Sequence, residues 1–180
     1  MAMYQNASVT DAKLETGNFA IYVGAEGSTV GSTWVNLGAG MLKDIAYVPE
    51  NYEVQAGNAP DPIEGISKET ATMSFDLIEY DGSSFSALSG GAMTGSSGSL
   101  VVGGQTSAVT AKGIKLVNTR KLANGSTQTT TYVFNKCYLN GGWTLAVKSD
   151  NDADPINVYS FSVTAKQYAT AQTIFTKTVA

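Results

Sequence analysis

Apolar and polar residues alternate with a period of two along much of the chain. Ala71, Met73, Phe75 and Leu77 alternate with Thr70, Thr72, Ser74 and Asp76, the signature of a strand with one buried face. Trp143, Leu145 and Val147 alternate with Thr144, Ala146 and Lys148 in the same way. A longer run sets Asn157, Tyr159, Phe161, Val163 and Ala165 against Val158, Ser160, Ser162, Thr164 and Lys166. At Ile78 and Tyr80 the phase flips, which predicts a bulge or a bend. Further strands are predicted at 19–23, 32–37, 42–48, 100–102, 113–118, 129–139 and 174–179, where Thr, Val, Tyr and Ile suit a pleated surface.

One stretch reads as a helix. Asp81 or Ser83 can cap residues 84–88, Phe85 and Leu88 supply an apolar side, and Ser89, Gly90 and Gly91 end it. Asn124-Gly125 and Asn140-Gly141-Gly142 are hairpin candidates. Pro49, Pro60 and Pro62 crowd the stretch between Val48 and Ile63 and are expected to break any continuous central strand there. Residues 50–67 therefore read as a long ordered excursion rather than a linker. Residues 89–99, rich in Gly, Ser and Ala, read as a flexible connection. Short strands parted by Gly, Asn and Asp turns predict an antiparallel sandwich or barrel. With 180 residues the chain can bury one core. The expectation is an all-β fold: one antiparallel β-sandwich domain over 1–180 with a short flanking α-helix and a long extended loop. Residues 1–16 and 167–180 are expected to be terminal extensions.

Composition narrows the chemistry. There is no His and only one Cys, which excludes a Ser-His-Asp triad, a Cys-His pair, a His-ligated metal, an all-thiolate zinc site and an intrachain disulfide. A pI near 4.7 argues against tight phosphate-led nucleic-acid binding. The net charge of -4 conceals more than it shows. Residues 44–81 hold nine acids and one base, a block of -8, while residues 112–148 hold six bases and no acid, a block of +6. These blocks either solvate their own surfaces and pair within one chain, or serve head-to-tail association. In the second case Glu50, Glu53, Asp61 and Glu64 would meet Lys112, Lys115, Arg120 and Lys121 of another copy, with charge steering the encounter and apolar burial holding it.

Other candidates carry less. Carboxylate pairs such as Asp76 with Glu79, or Glu50 with Glu53, could act as acid and base on a sugar, but any acidic sequence offers such pairs. Asp150-Asn151-Asp152-Ala153-Asp154 begins like a calcium loop, yet Pro155 stands where Gly is needed and Phe161 where the bidentate Glu belongs. Residues 27–32 form a Gly-rich turn without the Lys of a phosphate loop. Cys137 reads as a buried thiol and not a nucleophile. Trp34 and Trp143 read as core aromatics, with sugar stacking as the alternative. No run reaches the roughly 18 apolar residues of a membrane span, and residues 1–15 lack the pattern of a secretory signal. The expectation is a soluble chain made in a cytosol, with Cys137 reduced. Asn6-Ala7-Ser8 and Asn124-Gly125-Ser126 read as chance glycosylation triplets.

The order of features resembles one family. Phe19-Ala20-Ile21-Tyr22-Val23-Gly24 leads to Gly31-Ser32-Thr33-Trp34, then to a run from Leu37-Gly38 through Tyr47-Val48-Pro49-Glu50, then to Tyr52-Glu53-Val54 and the Pro-bearing loop. A strand ending in Leu77-Ile78-Glu79, the short helix and the closing strands follow. Over residues 17–166 this is similar to the tail tube (major tail) proteins of long-tailed bacteriophages. The resemblance implies a β-sandwich with one flanking helix, six copies per ring, and rings stacked into a hollow tube. It implies a structural virion protein and no enzyme, assembled in the host cytoplasm, with no cofactor and no membrane. Its implied partners are copies of itself, the tail terminator, tape-measure and distal tail proteins, and double-stranded DNA in transit without specific binding. It also implies that the long loop, here residues 50–67, bridges to the neighbouring ring. DNA carries a phosphate roughly every 1.7 Å of axis, so a wall of hydroxyls and carboxylates would let it slide where a basic wall would hold it. Thr70, Thr72, Ser74 and Asp76 are the candidate lumen face on that reading, and the basic block belongs at interfaces or outside. The alternative is a carbohydrate-binding β-sandwich module.

Overall fold

The period-two segments form strands because each places one apolar row on a shared interior. The computed structural model describes residues 18–54, 63–78, 82–89, 93–96, 99–102, 109–122, 124–147, 158–168 and 173–180. Its elements are β1 (Asn18–Ala25), β2 (Val35–Val54), β3 (Ile63–Leu77), α1 (Gly82–Ser89), β4 (Met93–Ser96), β5 (Ser99–Val102), β6 (Lys112–Lys121), β7 (Thr127–Ala146), β8 (Val158–Lys166) and β9 (Phe175–Val179). The fold is all-β and antiparallel with one short helix, as the alternation predicts.

The main sheet runs in the order β6-β1-β2-β3-β8-β7-β9, and β6 also pairs with β7. The sheet therefore closes on itself, and two layers share one core. Ile21, Met73, Phe75, Ile114, Phe134, Phe161 and Val163 fill it. Phe75 stacks on Phe161 at 5.5 Å between ring centroids. Helix α1 presses Phe85 edge-on against Phe161 at 5.2 Å and Tyr159 at 5.1 Å, geometry that adds to plain burial. Leu88, one turn on, is also buried. Ser83 lies inside the helix and so does not cap it; Asp81 lies outside the described residues.

Long strands replace several predicted breaks. Where two strands were expected at 32–37 and 42–48, β2 is one element of 20 residues that carries Pro49 within it. Proline is tolerated because β1 accompanies β2 only as far as Met41, so Pro49 sits on a one-sided edge where no ladder needs its N–H. The excursion at 50–67 is strand on both flanks, with Val54 paired to Ile63; residues 55–62 lie outside the described set. Asn140-Gly141-Gly142 is not a hairpin. It lies inside β7, where the register with β8 jumps between Leu139 and Trp143, so the glycines absorb a bulge. Residues 93–96, expected to be flexible, form β4 against β5. Asn124-Gly125 does make a tight turn: Gly125 has φ 84°, a value that L side chains resist. There the Asn124 carboxamide oxygen accepts from Ser126 N at 3.0 Å. Ile78, where the alternation flips, follows the end of β3 and is half exposed.

Candidate assembly surface

Register decides which polar residues stand together. In β3, Ala71, Met73, Phe75 and Leu77 point into the core, so Thr70, Thr72, Ser74 and Asp76 share the outer face. Pairing with β8 sets Thr72 beside Thr164, Ser74 beside Ser162 and Asp76 beside Ser160. Thr144 of β7 lies opposite Ser160, and Tyr138 opposite Thr164. On the other flank β2 contributes Asp44, Ala46 and Val48. The result is a four-stranded face, β2-β3-β8-β7, dominated by small hydroxyls. The alternation in 158–166 already offered Ser160, Ser162 and Thr164 as polar; only the β3–β8 register puts them on the wall with Thr70 to Ser74.

Its few charges are held down. Asp76 is the exception in its row: its carboxylate is buried, paired to Lys43 Nζ at 2.8 Å and accepting from Ser160 Oγ at 2.5 Å. Asp44 accepts from the backbone N–H of Ser74 at 3.1 Å. Lys166 rests over the Tyr138 ring at 5.0 Å.

Both edges of this face lack a neighbouring strand among the described residues. β1 leaves β2 after Met41. β6 leaves β7 after Cys137 and β9 pairs only with Thr130 to Phe134, so the far side of Trp143 to Ala146 is uncovered. Beyond the end of β8, β2 and β3 continue alone as a two-stranded arm, 49–54 against 63–69. Tyr52, Val54 and Ile66 on this arm are about half exposed, near 50%. Glu50 is tied to Lys68 at 2.5 Å. Glu53 and Glu64 are direct cross-strand partners, a like-charge juxtaposition that destabilises an isolated hairpin. Asp61 lies outside the described residues.

The basic residues lie elsewhere, on β6 in the other layer. Lys115 is wedged between Tyr22 and Trp34, its ammonium 4.6 Å and 4.9 Å from the two ring centroids, and loss of hydration pushes its pKa down. Trp34 donates from Nε1 to the Thr29 carbonyl at 3.0 Å and lies close over Gly24, so its polar edge is already used. Arg120 Nη2 donates to Gln128 at 2.9 Å, while Lys121 is exposed and Lys112 half-buried. Lys136 pairs with Glu26 at 3.0 Å, and that bond raises its pKa. Part of the basic block thus pairs within the chain. Cys137 is buried, and burial pushes its thiol well up. No group of three or more potential metal-ligating side chains occurs among the described residues. No helix among them is long and apolar enough to cross a membrane. The second aromatic candidate, Trp143, packs near Phe85 and Tyr159 at 6.3 Å and 5.8 Å.

No protein-family profile matches the chain, and no curated protein matches it. Among solved structures it is similar to the tube-terminating cap of the anti-feeding prophage, determined by cryo-EM, with TM-score 0.51 and 14% identity over 100% of both chains. The likeness is one of fold. The crystal structure of an Hcp protein aligns over 91% of this chain and 98% of that one at 12% identity, but its TM-score of 0.33 is too low to carry an argument. The fold is thus like that of a tube-terminating cap, and the candidate assembly surface is read from this chain's own residues.

Proposed function

We propose that the chain is a non-enzymatic structural subunit that associates with copies of itself into a hollow tail tube. One observation carries this reading: among the described residues, the hydroxyl-rich face β2-β3-β8-β7 has a strand edge without a partner on each side. Such edges are a liability in a monomer and a joint in an assembly. Pairing the β2 edge of one copy with the β7 edge of the next extends the same face around a ring and leaves no edge when the ring closes. Thr70, Thr72, Ser74, Ser162 and Thr164 then line the lumen, a wall with little charge to hold or repel passing double-stranded DNA. The arm, with Glu50, Glu53 and Glu64, reaches a neighbouring copy, and Lys112 and Lys121 are the basic residues best placed to meet it. Stacked six-membered rings, a place in a virion tail, and end partners of terminator and tape-measure type belong to this reading.

The likeness to a tube-terminating cap supports a second reading, in which the subunit closes a tube built by another protein. Electron microscopy of the purified chain separates the two. Long hollow tubes support the first, single rings the second, and a monomer at every concentration and salt tested counts against both. Reversing Lys112 and Lys121 to Glu is expected to block association while the far-UV circular dichroism stays unchanged. Unaltered assembly in that variant removes the charge argument. Lys115 is left out of the test because its aromatic contacts make it part of the fold. Those contacts also weaken the carbohydrate-binding alternative, since Trp34 is occupied by Lys115 and Trp143 packs among other aromatic rings.

A further inference from the structure

The arm presents a physical problem. Its two strands pair only with each other past Thr70, and a lone two-stranded hairpin is marginal in water. At its root one β3 carboxylate meets two other segments. Glu69 of β3 accepts a hydrogen bond at Oε1 from the Tyr47 hydroxyl of β2. At Oε2 it accepts from Gln167 Nε2, in the segment that follows β8. Glu69 stands opposite Pro49 in the β2 register, one residue past the last β3–β8 pair, Thr70 with Lys166. The neighbouring cations are otherwise engaged: Lys166 lies over Tyr138 and Lys68 bonds Glu50. Two smaller ties continue outward, Thr70 Oγ1 to the Val48 carbonyl at 3.3 Å and Ser67 Oγ to the Glu50 carbonyl at 2.9 Å.

We propose that Glu69 is a positioning residue for the arm, tying both of its strands to the segment after β8 and so fixing the direction in which the arm leaves the body. A carboxylate suits the task because it only accepts, and its two oxygens can serve donors on opposite sides at once. Charge-assisted bonds are also about twice as strong as neutral ones. A glutamine there would turn an N–H₂ toward one of two donors. An arm aimed in advance loses less freedom on docking. That use of the arm rests on the proposed function; the tie itself does not.

Hydrogen exchange on the full chain, kept below the concentration at which it associates, tests the tie directly. Glu69→Gln and Tyr47→Phe are each expected to speed exchange of the paired arm amides about tenfold, the scale of one lost hydrogen bond. Core amides of β1 and β8 should not change. The double variant should be little worse than the worse single one, because both remove the same tie. Arm amides that exchange at the wild-type rate in both single variants would overturn the proposal. So would a speeding spread equally over arm and core, which would mean global destabilisation. A wild-type chain that never associates would sink the proposed function and leave this exchange result intact. If the wild type does form tubes, Glu69→Gln should need several-fold more protein to do so.

Discussion

β2 and β3 each run through two regions that obey opposite rules. Within the body β3 alternates strictly and β2 does so apart from its bulges, and Leu37, Met73, Phe75 and Leu77 are buried in a core shared by six strands and a helix. In the arm the same two strands expose both faces, and Tyr52, Val54 and Ile66 stand in solvent. The body's apolar groups stabilise the subunit. Those of the arm stay about half exposed, and on the proposed function a neighbouring copy would bury them. Strand-forming sequence thus leaves apolar groups in two settings, and only packing tells them apart.

Several changes would break or sharpen this contrast. Phe75→Ala, which removes a fully buried ring stacked on Phe161, should cost about 3–5 kcal/mol of subunit stability by denaturant unfolding. An equal loss from a substitution in the arm would erase the distinction. Cys137 gives a pH-dependent test of the body. Its thiol stays neutral in the fold because burial raises its pKa, whereas the unfolded thiol ionises above about pH 8.5. The unfolded state then binds fewer protons, so this contribution is present below that pH and is lost as pH rises. Relative to Cys137→Ala, the native chain should lose about 2 kcal/mol between about pH 7 and pH 10. A pH-independent difference would mean that the thiol is open to solvent.

Gly125→Ala tests the hairpin at the far end of β6. It clashes with nothing within 4 Å but must hold φ near +84°, so it should cost about 1 kcal/mol. In the arm, Tyr52→Ser combined with Ile66→Ser should leave subunit stability within about 0.5 kcal/mol while abolishing association by sedimentation. Tyr47 offers the smallest signal. Its bond to Glu69 raises its pKa, so in absorbance titration its phenol should ionise above the ordinary value near 10, and Glu69→Gln should bring it back.

Local sequence pattern by itself determined the fold class and the β3 and β8 core rows through period-two alternation, the helix around Phe85 and Leu88 through their three-residue spacing, the Asn124-Gly125 turn through its residue types, and the burial of Cys137 through its place in a strand. Each is a local property: side chains alternate across a strand, and a turn needs its own residues. Prolines and glycines misled where their effect depends on neighbours. Pro49 is harmless because, among the described residues, a strand flanks it on one side only, and Gly141 and Gly142 lie within β7 because β8 pairs on either side of a bulge. Tertiary structure alone decided the rest, since pairing register joins residues far apart in the chain. It set Thr72 beside Thr164 and Lys43 on Asp76, gave Glu69 to Tyr47 and Gln167, and enclosed Lys115 between Tyr22 and Trp34. The two opposed charge blocks were visible in the sequence, but which charges pair within the chain depended on contacts that only the folded chain makes.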